Sequence, residues 1–466
     1  MIVPISLGMR SNRSRHGHEG GSGFVNCYAE NIGEEGKSQY AVYACDGLDS
    51  YATVTGSGVR AMQGVEGEGL YVAAGRTINH IDPAGNAVPI GGIISDGLVS
   101  MARNRAATAQ VGICSDGIFK IAQGTAIASV TDPDLPPANS VCGMDGYFIL
   151  TTPDGRYFIT EINDGFSIDG LDFANAEANP DGLVRGFVRN RDLCLFGNRS
   201  TEFHQNTGGS DFPFTRTTST DVGCLSGASV ATVDQTVAWV AHDGTVRLLN
   251  GYQGQIISTH EVERLIDGDP NKDSIVGFSW ARRGHVFYTL NGTNWTKTFD
   301  VGTNRWHDRE SDGSSRWRIG SQHNFGGQDI FGDIETGELF TMNPDTYSEG
   351  GNPIIMQIET PPVTSFPHRM IHNELMIDVI PGVGLNTTDE HNRDPKIILD
   401  YTEDGGATWS TERHISVGVQ GQVKRRVRAR RLGLAREDGR AYRLTMSAEV
   451  VRGVMAMAVD AERLAA

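Results

Sequence analysis

Between about residues 40 and 350 the apolar positions come in short runs, each closed by a polar, Gly-containing turn and answered by another short run. GLYVAAGRTINHIDPAGNAVPI, QVGICSDGIFKIAQGTAIASV and GMDGYFILTTPDGRYFITEINDG are three successive instances. RDLCLFGNRSTEFHQNTGG, TVAWVAHDGTVRLLNGYQGQIIST, ARRGHVFYTLNGTNWTKTFDVGTNRWHD and GGQDIFGDIETGELFTMN continue the series. Asp-Gly or Asn-Gly stands at the tight turn in most of them, where both central residues need φ > 0. Each unit reads as a three- or four-stranded meander the size of a propeller blade. The pattern predicts an all-β chain with a β-propeller-like domain of about six or seven blades over residues 24–352; a large sandwich is the rival reading.

The texture changes near residue 353, where longer strands begin: PIIMQIETPP, NELMIDVIPGVG, KIILDYTEDGGATWS, RAYRLTMSAEV and GVMAMAVDAE. Tyr442, Leu444, Met446, Ala448 and Val450 alternate without a break, as in a half-buried antiparallel strand. Residues 353–466 are therefore predicted to form a separate β-sandwich, with NTTDEHNRD (386–394) as a surface loop. One helix is predicted, over Thr259–Asp267, with Thr259 as N-cap and Val262, Leu265 and Ile266 on one face. Residues 1–23 are basic and Gly-rich and are predicted to be a flexible arm.

Composition narrows the function classes. The 466 residues carry 58 Gly and a formal net charge of −17. Phosphate neutralisation drives non-specific nucleic-acid binding, and such a charge opposes it, although DNA can pass without adhering. The N-terminus, MIVPISLGMRSNRSR, places apolar before basic residues, the reverse of a secretory signal, and no stretch is apolar over membrane-spanning length. Cys27, Cys45, Cys114, Cys142, Cys194 and Cys224 are scattered, which predicts small buried apolar residues in a protein made in a reducing compartment.

TEDGGATW places Thr402, Asp404, Gly406, Thr408 and Trp409 on the Asp-box pattern of sialidases and related propellers, a hairpin whose Asp caps turn amides. The box is structural in those proteins, and a glycosidase would need two carboxylates flanking a sugar. Asp116, Asp145, Asp154, Asp243 and Asp312 all sit in turn contexts instead. His16 with His18, and His368 with His372, lack the ligand set of a metal site. No P-loop, dinucleotide fingerprint or nucleophile elbow is present. The sequence thus supports no catalytic residue, cofactor or metal.

VKRRVRARRLGLA interrupts the acidic chain: from Lys424 to Arg443 nine basic residues face only Glu437 and Asp438. Val427 and Ala429 alternate with Arg, and Leu432 and Leu434 resume in the opposite phase, the offset a β-bulge produces at Arg430-Arg431. The stretch is predicted to be a strand showing Arg426, Arg428 and Arg430 on one face, with Arg431 at the offset. Three readings stand, in this order: an edge strand protected by charge, a contact to an acidic surface of a neighbouring subunit or partner, and last phosphate binding, since no aromatic interleaving suggests stacking on bases.

Several segments, taken in order, resemble one family. VNCYAEN (Val25–Asn31), NPDGLVRGFVRNRDLCLFGNRSTEFHQNTGG (Asn179–Gly209), DGTVRLLNGYQGQIISTHEVERLI, DIFGDIETGELFTMN and the RRVRARRLGLA ending are similar to the packaged-DNA stabilisation (tail hub, or nozzle) proteins of short-tailed bacteriophages. The resemblance implies a structural virion protein made in the host cytoplasm, without enzymatic activity or membrane anchor. It implies a homo-oligomeric, six-fold ring below the portal and its adaptor. Such a ring would extend the DNA channel, retain the packaged genome with a needle or plug, and carry tail fibres or spikes, with DNA passing unread through the lumen. The alternative is a propeller glycosidase, sialidase-like or carbohydrate-binding virion protein.

Overall fold

The computed structural model describes residues 1–464 except 34–35, 95, 134, 177–178, 180 and 210–211. Seven four-stranded antiparallel blades follow one another. The first strands of the blades are Val59–Val65, Ser100–Arg103, Ser140–Met144, Leu183–Arg189, Ala231–Val233, Val276–Arg282 and Ile319–Phe325. Six blades take all four strands from consecutive sequence. The seventh takes three, and its fourth is Gly47–Thr53, antiparallel to Glu338–Asn343. The propeller is thereby closed by pairing the chain segment before blade one with the last blade, which leaves its ring of blades without an open end.

The predicted turn chemistry is present in detail. Asp116-Gly117 and Asp145-Gly146 both take positive φ, at 53° and 77° and at 53° and 95°, the geometry of a tight hairpin. Asp154 and Asp243 accept hydrogen bonds from Arg156 and Thr245 within their own turns. Asp181 receives the amides of Arg199 and Ser200 and the Ser200 hydroxyl, so it ties the blade-four hairpin to the start of the blade. The neighbouring Pro180 lies outside the described residues. The helix His260–Asp267 has Thr259 as N-cap, whose hydroxyl accepts from Val262 N, and it buries Val262 and Ile266 against blades five and six.

The sandwich is built from both ends of the chain. One sheet runs Cys27–Asn31, Tyr40–Ala44, Gly453–Arg463, Met370–Val379, Val427–Leu434, with Ile2–Ile5 also paired to Gly453–Arg463. The other runs Gly21–Val25, Met356–Glu359, Ala441–Met446, Lys396–Thr402, Arg413–Ser416. Ile5, Leu7, Phe24, Val42, Leu375, Tyr442 and Val459 share the core between them.

Two expectations are corrected. The residues expected as a flexible arm are paired structure: Ile2–Ile5 lies in register with Met457–Asp460, and Asn12–Arg13 with Gly21–Ser22. The strand residues between 24 and 44, expected in the propeller, belong to the sandwich. The reason is burial: Ile5, Leu7 and Phe24 are apolar side chains buried in one core with the C-terminal strands. The expected loop 386–394 also holds one helical turn, Glu390–Arg393, capped by Asp389. All six cysteines are buried free thiols. No helix of the described residues is long and apolar enough to cross a membrane.

Asn26 joins the sandwich to the propeller, and buried charge pairs of the propeller lie next to that junction. Asn26, with φ 54°, donates from Nδ2 to Glu310 O and Ile355 O, and its amide bonds Asp308 O. Lys297, 2% exposed, pairs with Glu261 of the helix at 2.9 Å and with Asp308 at 2.6 Å. Arg309 stacks on Trp317 at 4.1 Å, and Glu349 accepts from Trp317 Nε1 and Ser311 Oγ at 2.7 Å each. Lys297 and Arg309 thus each have a carboxylate partner, the condition under which such groups are tolerated inside a protein.

Candidate functional site: the basic edge of the sandwich

Val427–Leu434 is the edge strand of its sheet, paired on one side to Met370–Val379. Val427, Ala429 and Leu432 point into the core. The register with Met370–Val379 slips between His372 and Glu374, so Arg431 and Leu432 face a single residue, and Arg431 takes φ 57°. The bulge therefore falls where the phase of the apolar residues changes. Leu434 keeps the phase of Leu432 but remains 40% exposed.

The charges are arranged differently from the expectation of one free cationic face. Arg428 and Arg430 both reach Glu374 on the adjacent strand, at 3.3 and 2.8 Å. These bonds hold the Glu374 carboxyl below its usual range, Arg430 contributing most. Arg426 is exposed and precedes the strand rather than belonging to it. Arg436 and Arg440 pair with Glu403, and Arg443 pairs with Asp400. Arg425 donates to Ser416 O. Among the described residues Lys424, Arg425, Arg426 and Arg431 have no carboxylate partner. The uncompensated charge is therefore one corner, not a stripe. Sequence spacing missed this because Glu374 lies 54 residues from Arg428 and only strand pairing brings it near.

The Asp-box hairpin is formed as the pattern predicts. Asp404 accepts from Thr408 N, the Thr408 hydroxyl and the Thr402 hydroxyl, and Gly406 N donates to Thr402 Oγ1. The bond from the Thr408 hydroxyl, with the others, pulls the Asp404 carboxyl down to about 2. Trp409 is half-buried, and the Arg443 guanidinium stacks on it 3.8 Å from the ring centre. Asp404 is thus engaged within its own turn.

Sequence reasoning did not anticipate the cleft beside this hairpin. Arg13, Gly17, Gly20, Glu359, Glu403 and Asp438 line a space of about 220 Å³ between the N-terminal segment and the box. Burial pushes the Glu359 carboxyl up. His372, one of the histidines considered as a ligand, is buried and bonds Tyr442 OH. No group of His, Cys, Asp and Glu suited to a metal occurs among the described residues.

Comparison with known proteins follows the two-domain division. Residues 1–347 match the family described as bacteriophage P22 Gp10, beta-propeller, and residues 356–462 match bacteriophage P22 Gp10, beta-sandwich. No curated protein matches the chain. Among solved structures, the WD40 propeller domain of Doa1 superposes with a TM-score of 0.42 at 12% identity, covering 64% of this chain and 97% of its own. U3-55K gives 0.43 at 10% identity, covering 64% and 98%, and the computationally designed Ika8 protein gives 0.40 at 14%, covering 72% and 98%. The blade assignment stands on the strand ladders and not on these distant likenesses. With both domain models matched in order over nearly its whole length, the chain belongs to the bacteriophage P22 Gp10 family of structural virion proteins.

Proposed function

We propose that this chain is the ring-forming subunit of a short-tailed phage's tail nozzle. The ring sits below the portal and adaptor, extends the DNA channel and retains the packaged genome together with a needle or plug. Its outer surface carries fibres or spikes. The match of both domains to the P22 Gp10 family carries this reading. A closed ring joins two different patches of each subunit head to tail. The basic corner Lys424–Arg426 with Arg431, on a chain of net charge −17, supplies one half of such a pair.

Native mass measurement and negative-stain microscopy of the purified full chain test the proposal, with rings or portal–adaptor-bound complexes as the expected result. A strict monomer that also fails to join portal–adaptor assemblies would overturn it. The Asp-box motivates the glycosidase alternative, and a screen against host polysaccharide and sialosides addresses it. Turnover abolished by one carboxylate substitution would replace the nozzle reading with an enzymatic one.

A further inference from the structure

Asp164–Asn175, the outer strand of blade three, runs for 12 residues, with no further strand paired to it among the described residues. Its register with Arg156–Glu161 slips, so that Asp169, Gly170, Leu171 and Asp172 stand opposite Ile159 alone. Leu171, in that bulge, is 83% exposed, and Phe166 in the same strand and Ile162 in the turn before it are exposed as well. An open edge with large apolar side chains invites a partner. The charges around it have one sign. Asp164, Asp169 and Asp172 lie in the strand and Glu161 faces it, whereas the outer strands of blades one, two, four and five hold no Asp or Glu. Among the described residues none of these four acids pairs with a cation. The two arginines that reach the hairpin are engaged, Arg105 by Asp145 at 3.2 Å and Arg156 by Asp154 at 2.6 Å. Burial, then Asp169 and Glu161, push the Asp172 carboxyl up, as like charges without a counter-charge do.

Strand order puts this edge and the basic corner at opposite ends of the molecule. In a closed ring of seven blades, blade three stands across the axis from blades six and seven. One continuous sheet runs from blade six outward through Gly21–Val25, Met356–Glu359, Ala441–Met446 and Lys396–Thr402 to Arg413–Ser416. In the other sheet of the sandwich, Cys27–Asn31, next to the Asn26 junction, is one edge and Val427–Leu434 is the other. Arg413 donates to Arg430 O, so the two outlying edges lie side by side. The basic strand is thus the edge of the sandwich most removed from the propeller, and blade three lies on the propeller's far side.

We propose, resting on the ring reading above, that the outer edge of blade three receives the basic corner of a second copy of this chain. Lys424, Arg425, Arg426 and Arg431, which lack a carboxylate partner, meet Glu161, Asp164, Asp169 and Asp172, which lack a cation. Val423, exposed beside the corner, covers Leu171. Opposite charges then surround a patch of apolar surface removed from water, the arrangement of a specific interface. The two patches differ and lie at opposite ends, so every contact leaves one of each kind free. Copies therefore add head to tail until the ring closes.

Val423→Cys combined with Leu171→Cys in the full chain tests the contact, since all six native cysteines are buried. Oxidation of the assembled protein with copper phenanthroline should link copies into a ladder that reaches the full ring on a non-reducing gel. Val423→Cys with Ile256→Cys, a residue exposed on the outer strand of blade five, should give no ladder. Independently, Asp169→Lys with Asp172→Lys should weaken ring formation at least tenfold in sedimentation velocity, and adding Arg426→Glu and Arg431→Glu should recover it. Rings from the unaltered chain without the Val423–Leu171 ladder would overturn the contact and leave the ring reading standing. Undiminished rings from the Asp169 and Asp172 double variant, or a charge swap that recovers nothing, would do the same. An unaltered chain that assembles neither alone nor with portal and adaptor would overturn both.

Discussion

Gly17 and Gly405 pack backbone against backbone. A Cβ on Gly405 would stand 2.1 Å from the carbonyl carbon of Gly17, and a Cβ on Gly17 would stand 2.5 Å from Gly405 O. The N-terminal segment thus passes over the turn of the Asp-box hairpin at a distance only two glycines permit. Gly405 also takes φ 69°, where a side chain costs about 1–2 kcal/mol even without a clash. Gly405→Ala is expected to lose that amount and to lift the N-terminal segment, exposing it to protease. Gly421→Ala, at φ 83° with open space around it, should show the strain alone and leave proteolysis unchanged. Urea midpoints and limited proteolysis of the two variants give the comparison.

The first residues are core, not tail. Leu7 is fully buried and Ile5 nearly so, both inside the sandwich. Leu7→Ala should destabilise the sandwich by about 2–5 kcal/mol, the cost of removing buried methyl groups and leaving a cavity. Denaturant unfolding followed by tryptophan fluorescence measures it. An unchanged midpoint would restore the picture of a loose arm.

Local features of this fold were legible in the sequence, and long-range ones were not. Asp145-Gly146, Thr259 and Asp404 announce a turn, a cap and a hairpin because each acts on backbone within four residues of itself. The bulge at Arg431 is visible because it reverses an alternation inside one strand. Gly47–Thr53 leaves no such mark: its partner is Glu338–Asn343, and nothing in a strand's own periodicity names the strand beside it. Ile2–Ile5 is similarly mute about Met457–Asp460. The basic edge was half legible for the same reason, since its arginines are local but Glu374, the counter-charge of Arg428 and Arg430, comes from a neighbouring strand.

Glu349, whose strand pairs with Gly47–Thr53 of the last blade, holds the connection between blades six and seven through Trp317, Ser311 and Arg309. Arg309 is fully buried, so Glu349→Ala leaves a guanidinium without its carboxylate as well as an unpaired indole N–H. A loss of about 3–5 kcal/mol is expected. The paired change Arg309→Met with Glu349→Gln removes both charges and should recover part of it. Calorimetric unfolding of the single and double variants reads the difference.

Acid should weaken the sandwich through His372. Burial, aided by Arg440, holds its imidazole down to about 4 from an ordinary 6.5. Below pH 6.5 the unfolded chain therefore takes up a proton that the folded one refuses, and stability falls as pH drops toward 4. At about 1.4 kcal/mol per unit, the loss reaches about 3 kcal/mol. His307, held near 3 by burial and Arg309, adds a loss of the same sign at the propeller junction. His372→Phe cannot take up a proton in either state, so its stability should change less between pH 6.5 and 4 than that of the unaltered chain. Equal pH slopes would show that His372 is not the titrating group.

The two halves of the basic edge should behave differently in assembly. Arg428 and Arg430 are already answered by Glu374, so reversing either charge sets like charges against Glu374 and disturbs the edge strand itself. Lys424, Arg425, Arg426 and Arg431 have no carboxylate partner within the described residues and are exposed. Reversing Arg426 and Arg431 to Glu therefore alters the outward field while leaving the fold's own ion pairs intact. With a negative patch on the neighbouring subunit, this double change should weaken ring formation at least tenfold, with the effect growing as salt is lowered. Thermal unfolding of the isolated subunit should not move. Sedimentation velocity across a salt series reads ring formation, and differential scanning fluorimetry reads the fold. Normal rings from the Arg426 and Arg431 double variant would leave the edge as a strand merely guarded by its charges.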